Sequence, residues 1–221
     1  MTAIHAVFFD LDGTLADTAP DLADSLNRLR QEQGREPLPF EQIRPHVSYG
    51  SPALIKLGFG LNPADDDYSR LRSRLLAIYA ENICVATRPF EGTRELIRAL
   101  SDRSIRWGVV TNKPAFLTEP LIEKLAFSPP PACVVSGDST ANHKPHPEPM
   151  LHACRLAGAS PAQSVYVGDA ERDIHSGQQA GMKTMVALFG YIRPQDQPAT
   201  WHADAMIRAP LELLTYLDDW T

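Results

Sequence analysis

The stretch AVFFDLDGTLADT, residues 6–18, decides the fold. Its apolar beginning, residues 6–9, is typical of a buried strand, and two carboxylates, Asp10 and Asp12, follow directly. Side chains two residues apart on an extended chain point to the same side, so these two like charges destabilise each other unless a positive group compensates them. The stretch therefore predicts a strand end where two acids and a cation meet.

Short apolar runs and longer amphipathic stretches alternate along most of the chain. The runs are rich in β-branched or aromatic residues and mostly lack polar alternation, which is typical of a parallel sheet covered on both faces. Repeated alternation of strand and helix predicts a doubly wound α/β domain with a parallel sheet. Predicted strands cover residues 6–9, 107–110, 132–135, 165–167, 184–187 and 205–207, and predicted helices cover residues 93–101, 115–125, 147–157, 172–180 and 211–218.

Residues 17–88 interrupt this alternation, because the interval contains no convincing strand. Apolar residues recur there with the helical period, most clearly in residues 65–82. We interpret the interval as a helical insertion, or cap, between the first strand and the rest of the sheet, with RPFEG, residues 88–92, as the hinge that returns to the core. Helices are predicted over residues 21–33, 51–57 and 65–82, and the predicted domains are a core of residues 1–16 and 89–221 and a cap of residues 17–88.

The composition excludes several classes of protein. A formal net charge of −6 without a basic block argues against nucleic acid or an anionic membrane as a partner. Three cysteines without C-x-x-C spacing argue against a disulfide framework or a zinc site and fit a reducing compartment. The sequence contains no signal-peptide pattern and no run long enough to span a membrane, so we expect a cytoplasmic protein, either a monomer or a weak homodimer.

Polar residues follow the apolar runs at four places. Doubly wound sheets bind their ligands outside the carboxyl ends of the strands, so these residues are expected to meet at one edge. Taken singly, each place has a structural explanation: a turn, a helix cap, a surface charge or an acid at a helix start. Together, the acids suit Mg²⁺, and the hydroxyl, amide and lysine suit a phosphoryl group beside it. The four groups are Asp10 with Asp12; Thr111, Asn112 and Lys113; Lys144; and Asp169 with Asp173.

These motifs, in this order, resemble those of the haloacid dehalogenase superfamily of phosphotransferases, and the resemblance covers essentially the whole chain. DLDGT matches the first motif, VVTN the second, Lys144 the third and GDAERD the acidic fourth. The resemblance implies a Rossmann-like core and a C1-type helical cap. After Asp169 this chain has Ala170, where many relatives carry a further acid or a serine. That departure leaves Asp173 as the other acid of the motif, in direct or indirect contact with the metal.

The resemblance also implies a reaction. Asp10 attacks phosphorus and forms an aspartyl-phosphate, while Asp12 serves as general acid and then as general base. Lys144 neutralises Asp10 and the phosphoryl oxygens, and Mg²⁺ is the expected cofactor. Expected catalytic residues are Asp10, Asp12, Thr111 and Lys144, and expected metal ligands are Asp10, Asp12 (through its backbone carbonyl), Asp169 and Asp173.

Residues outside the four motifs select the substrate. TNKP, residues 111–114, resembles the phosphoglycolate phosphatase branch, and residues 190–207 are similar to a bacterial subgroup that includes N-acetylmuramic acid 6-phosphate phosphatases. Both substrates carry a carboxylate, which Arg44 is predicted to bind unless it is a helix-surface arginine. A sugar phosphomutase of the β-phosphoglucomutase type and a catalytically silent binding protein are the alternatives. The expected substrate-binding residues are Thr111, Asn112, Lys113 and Arg44.

Overall fold

A parallel sheet forms the centre of the computed structural model, which describes residues 3–220 and contains six strands of this sheet in the order β5-β4-β1-β6-β7-β8. The first strand lies in the middle, paired with β4 on one side and β6 on the other. The strand order therefore reverses beside β1, where doubly wound sheets bind ligands. The predicted doubly wound α/β class is confirmed. The strands are β1 Ala6–Phe9, β4 Arg106–Val110, β5 Val134–Val135, β6 Ser164–Gly168, β7 Lys183–Ala187 and β8 Ala205–Ile207.

Both faces of the central strand are buried, which explains its continuous apolar run. Val7 and Phe9 pack into one core cluster, and Ala6 and Phe8 pack into another on the opposite face. Helices cover the two faces, and none in residues 3–220 combines the length and the apolar character needed to cross a membrane. The core helices are α5 Thr93–Asp102, α6 Ala115–Leu125, α7 Glu148–Ala157, α8 Glu171–Ala180 and α9 Leu213–Asp219.

The edge strand β5 is shorter than the sequence predicts, since it comprises Val134–Val135 rather than residues 132–135. It pairs only with β4 and follows a proline-rich loop, Pro129–Pro131. Proline lacks the N–H that a ladder requires, so regular pairing begins only beyond this loop. The last helix is likewise shorter at its start, because a 3₁₀ turn, Pro210–Glu212, precedes α9.

A helical insertion separates β1 from the rest of the sheet. Its helices α1 and α4 pack side by side, and their buried residues, among them Leu26 and Leu75, join the core cluster of Val7 and Phe9. A short antiparallel pair, β2 with β3, carries the chain out of the core and back. The elements are β2 Ala16–Asp17, α1 Ala19–Glu32, α2 Phe40–Ile43, the 3₁₀ segment Arg44–Tyr49, α3 Gly50–Phe59, α4 Tyr68–Glu81 and β3 Arg88–Pro89.

The sequence predicts α1, α3 and α4 but not α2, the 3₁₀ segment or the β2–β3 pair. These elements are too short to show a period of 3.6 or 2 residues. Whether the insertion is a separate cap with the bounds 17–88 stays a prediction. Residues 1, 2 and 221 of the predicted core lie outside the described residues.

Candidate active site

A cleft of about 540 Å³ lies at the carboxyl edge of the sheet, between the core and the insertion. One wall consists of residues that follow β1 and β4. The other wall comes from the insertion, with Val47 and Ser48 of the 3₁₀ segment and Arg72, Leu75 and Tyr79 of α4. The strand ends thus converge as predicted from the topology. Predicted site residues that line the cleft are Asp10, Asp12, Thr111, Asn112 and Lys113.

Lys144 lies beneath the cleft between two carboxylates. Its side chain is 0% exposed, and its Nζ lies 2.9 Å from Asp10 Oδ1 and 2.8 Å from Asp173 Oδ1. The ammonium also donates to the carbonyl of Val110 (3.0 Å) and to the hydroxyl of Tyr166 (2.8 Å). A surface role for Lys144 is therefore excluded, because a buried ammonium is tolerated only when its charge and its protons are matched.

The buried carboxylates of the site differ in their pKa values. For Asp10, burial raises the pKa, but Lys144 and Arg172 outweigh burial and hold the pKa below its usual value. For Asp169, burial and the charges of Asp173 and Asp10 raise the pKa to about 7. Burial also raises the pKa of Asp173, although Lys144 opposes it. Asp10 is thus anionic at neutral pH, whereas burial and neighbouring negative charge disfavour the ionised forms of Asp169 and Asp173.

An acidic cluster at this point can hold a metal ion. Asp10, Asp169 and Asp173 each offer an oxygen within 4.8 Å of the others. Asp169 Oδ2 accepts hydrogen bonds from the Ser48 hydroxyl (2.5 Å) and the Tyr191 N–H (2.8 Å), whereas its Oδ1 is buried without a partner in residues 3–220. A buried carboxylate oxygen without a partner is unfavourable unless a cation takes that place. The all-oxygen donor set fits a hard divalent cation.

Asp12 accepts hydrogen bonds from residues of both the core and the insertion. Its Oδ1 accepts hydrogen bonds from Lys113 Nζ (2.9 Å) and from the Thr18 hydroxyl (2.6 Å). Lys113 also donates to the hydroxyl of Tyr79 on α4 (3.1 Å). Burial lowers the pKa of Lys113, but Asp12 and Tyr79 outweigh burial and raise it. Lys113, predicted to bind substrate, therefore forms an ion pair with Asp12 in this structure.

Thr111 and Asn112 reach the cleft at the end of β4. The Asn112 side chain donates to the Lys144 carbonyl (2.9 Å) and accepts the Lys144 N–H (3.0 Å). The NH₂ and the oxygen of the Asn112 side-chain amide thus both fix the loop that carries Lys144. The hydroxyl of Thr111 accepts the Lys113 N–H at 3.3 Å and is otherwise available at the cleft wall.

Arg44 is placed apart from the other predicted site residues. It is absent from the lining of the cleft in the described part of the chain. Its guanidinium lies over the Tyr191 ring, 4.8 Å from the centroid, and donates to the Gly190 carbonyl at 3.3 Å. In this structure Arg44 therefore attaches the 3₁₀ segment to the loop after β7.

Sequence reasoning missed two residues that contact the acids. Arg172 Nη2 lies 3.9 Å from Asp10 Oδ2 and donates to the Ser48 carbonyl, and the Ser48 hydroxyl contacts Asp169. Arg172 could have been predicted from the sequence, because it lies within the motif GDAERD, one residue before Asp173. Ser48 could not have been predicted in this way, since its partner Asp169 is 121 positions away along the chain.

Gly13 is required by both its conformation and its surroundings. Its φ is +84°, and an added Cβ would overlap Asp169 Oδ2 and the Tyr191 ring. We expect Gly13→Ala to lower the free energy of unfolding by about 3 kcal/mol. Two costs contribute to this loss: strain in the backbone and displacement of the Asp169 carboxylate. Gly34→Ala is the matched control, because Gly34 has a φ of +68° with nothing within 4 Å and should lose only about 1 kcal/mol. Urea unfolding measures both variants. An equal loss of stability in Gly13→Ala and Gly34→Ala would contradict the close contact of Gly13 with Asp169 and Tyr191.

Comparison with known proteins identifies the family. Residues 7–187 match the family model described as haloacid dehalogenase-like hydrolase. The chain belongs to this family. The predicted resemblance is thereby confirmed, and the match covers β1, the insertion and the strand ends that form the cleft.

Relatives of this haloacid dehalogenase-like hydrolase are named phosphatases, which confirms the predicted class of enzyme. An N-acetylmuramic acid 6-phosphate phosphatase of Pseudomonas aeruginosa is 40% identical over 97% of this chain and 95% of its own. A phosphoglycolate phosphatase of Xylella fastidiosa is 39% identical over 98% of this chain and 93% of its own. A crystal structure of a predicted phosphoglycolate phosphatase from Haemophilus somnus, 25% identical, superposes with a TM-score of 0.86 over 98% of this chain and 99% of that one.

Proposed function

We propose that this chain is a Mg²⁺-dependent phosphomonoesterase that works through an aspartyl-phosphate and acts on a small carboxylated phosphate ester. One observation carries the proposal. Asp10 is buried, anionic and paired with Lys144 at 2.9 Å, directly beside Asp12 at the cleft. An ionised carboxylate with a neutralising ammonium and a neighbouring acid supports nucleophilic attack on phosphorus.

Asp10 is the proposed nucleophile. Its oxygen forms a bond to phosphorus while the bond between phosphorus and the ester oxygen breaks, which leaves an aspartyl-phosphate. Lys144 Nζ and the Leu11 N–H both contact Asp10 Oδ1 and hold the carboxylate in one orientation. Thr111 lies at the same strand edge, where its hydroxyl can donate to a phosphoryl oxygen.

Asp12 is the proposed general acid and base. It donates a proton to the departing ester oxygen and then removes one from the water that attacks the aspartyl-phosphate, which releases phosphate and restores Asp10. Lys113 and Thr18 both bind Asp12 Oδ1, which leaves Oδ2 available to carry the proton. Lys113 is thus a positioning residue in this proposal.

Mg²⁺ is the proposed cofactor, with Asp10 and Asp169 as direct ligands. The unpartnered Oδ1 of Asp169 supports this assignment. Asp173 is assigned a supporting position, because its Oδ1 lies 2.8 Å from Lys144 and its Oδ2 accepts the Ala170 N–H. The backbone carbonyl of Asp12 stays a predicted ligand. When bound, the cation supplies positive charge to the phosphoryl oxygens and offsets the repulsion among the carboxylates.

Asp169→Asn is expected to have opposite effects on stability with and without metal. Without metal, the loss of one buried negative charge should raise the free energy of unfolding by about 1–2 kcal/mol. With Mg²⁺, the wild-type protein should become more stable, whereas the variant should show no such increase. Thermal unfolding with EDTA or with millimolar MgCl₂ measures both effects. A full Mg²⁺-dependent increase in the variant would remove Asp169 from the proposed metal site.

The names of the relatives support two substrates, phosphoglycolate and N-acetylmuramic acid 6-phosphate. Both esters, several neutral sugar phosphates and p-nitrophenyl phosphate should be assayed for phosphate release with Mg²⁺ and with EDTA. We expect Mg²⁺-dependent release and a preference for a carboxylated ester. Absence of release from every ester would overturn the proposed function, and isomerisation of a sugar phosphate without release would favour the phosphomutase alternative.

A further inference from the structure

Arg72 is a cation at the cleft whose charge is not matched by the protein. In residues 3–220, the cleft is lined by three arginine or lysine side chains: Arg72, Lys113 and Arg172. Lys113 is paired with Asp12, and Arg172 lies near Asp10. Arg72 has no carboxylate within ion-pair distance among the described residues.

The guanidinium of Arg72 is nevertheless held in place. Its Nε donates to the Ser51 hydroxyl at 3.0 Å, a contact that joins α4 to α3. No described group accepts a hydrogen bond from either terminal nitrogen of Arg72. These are the two nitrogens that bind both oxygens of a carboxylate at once. An oriented, half-buried guanidinium whose two terminal nitrogens have no acceptor among the described residues is suited to bind an anion that enters the cleft.

Helix α4 places Arg72 and Tyr79, which both line the cleft, two turns apart. Tyr79 contacts Lys113, which contacts Asp12, so Tyr79 marks the phosphoryl end of the cleft. Arg72 precedes Tyr79 by seven residues on the same face, so their Cα atoms are separated by two turns, about 10 Å. The wall between them is apolar and includes Leu75.

We propose that Arg72 binds a carboxylate of the substrate at the end of the cleft opposite the phosphoryl group. This inference rests on the proposed function and selects between its two substrates. In phosphoglycolate the carboxylate is attached to the carbon that carries the phosphate, so its two charged groups lie much closer together than the two helical turns that separate Arg72 from Tyr79. N-acetylmuramic acid 6-phosphate has a sugar ring between the two charges, and one face of such a ring suits the apolar wall. The substrate class is therefore an extended sugar-acid phosphate.

Two sugar phosphates that differ in one lactyl ether group, which carries the carboxylate, test this inference. N-acetylmuramic acid 6-phosphate and N-acetylglucosamine 6-phosphate share the ring, the acetamido group and the phosphate, but only the first has the lactyl carboxylate. We expect wild-type kcat/KM to favour the carboxylated ester by about 30-fold, mostly through KM, as for one charge-assisted contact. Arg72→Gln should abolish this preference, and Arg72→Lys, which keeps the charge without the fork, should retain part of it.

Arg70→Gln is the matched control. Arg70 lies on the same helix, is exposed and pairs with Asp67 at 2.9 Å, so its variant should keep the wild-type preference. Preference of the wild-type protein for phosphoglycolate over both sugar esters would overturn the inference and leave the proposed function intact. Equal use of the two sugar esters would overturn the inference together with the expected preference for a carboxylated ester, but not the phosphatase reaction itself. Retention of the preference by Arg72→Gln would also overturn the inference. If Arg72→Gln fails to unfold cooperatively, the wild-type ratio and Arg72→Lys decide the question.

Discussion

Asp10→Asn is expected to lower phosphate release by about 10⁵-fold, because the amide is a far weaker nucleophile than the carboxylate it replaces. The fold should persist, with the free energy of unfolding within about 2 kcal/mol of the wild-type value. The variant loses the ion pair of Asp10 with Lys144 but also loses repulsion toward Asp169 and Asp173. Phosphate release and urea unfolding of the same preparation measure the two effects.

Asp24→Asn is the control for this substitution. Asp24 lies on an exposed part of α1 and pairs with Arg28 at 2.6 Å, so its variant should keep normal turnover. Acid quenching of the wild-type protein with ³²P-labelled substrate should trap label on the peptide that contains Asp10, and the Asp10→Asn protein should trap none. Near-normal turnover by Asp10→Asn, or label on another peptide, would show that Asp10 is not the nucleophile.

Lys144→Met is expected to have the largest effect on stability. The substitution removes an ammonium that lies within 3 Å of both Asp10 and Asp173 and leaves their charges buried without it. Removal of one partner from a buried ion pair lowers the free energy of unfolding by about 3–5 kcal/mol. Phosphate release should also fall by about 10³-fold, because the phosphoryl oxygens lose a neutralising charge.

A second substitution separates the two effects. Lys144→Met combined with Asp173→Asn removes one charge of each sign, so urea unfolding should show recovery of more than half of the lost stability. Phosphate release should stay low, since Lys144 is still absent. Lys56→Met, at an exposed position of α3, controls for the loss of a lysine and should match the wild-type protein. A stable, active Lys144→Met protein would contradict the assigned role of this ammonium.

Much of the core was predictable because its signals are local. The bounds of β1 and of α6 match the predicted ranges, since each is one uninterrupted apolar or periodic segment. The carboxyl ends of parallel strands share one edge, so the prediction of a parallel sheet was enough to expect Asp10, Asp169 and Lys144 at that edge. Short elements without a period, such as the 3₁₀ segment Arg44–Tyr49, could not be predicted in this way.

The partners of individual polar side chains were not predictable. Lys113 and Asn112 looked equivalent as candidates to bind phosphate, yet Lys113 pairs with Asp12 and Asn112 fixes the backbone of Lys144. Arg44 matched the chemistry of a carboxylate ligand, but the fold stacks it on Tyr191. Residue type states which contacts a side chain can make, and only the packing of distant segments selects one of them.

The sequence by itself determined the family, the α/β core and the acids that meet at the strand ends. These follow from neighbouring residues, because a buried strand followed by DLDGT needs no distant contact to be recognised. Tertiary structure alone decided that Lys144 is buried between two carboxylates, that Ser48 contacts Asp169 and that Arg72 faces the cleft. The physical reason is separation along the chain: Asp12 and Lys113 are 101 positions apart, and only the folded arrangement of the sheet and the insertion places them in contact.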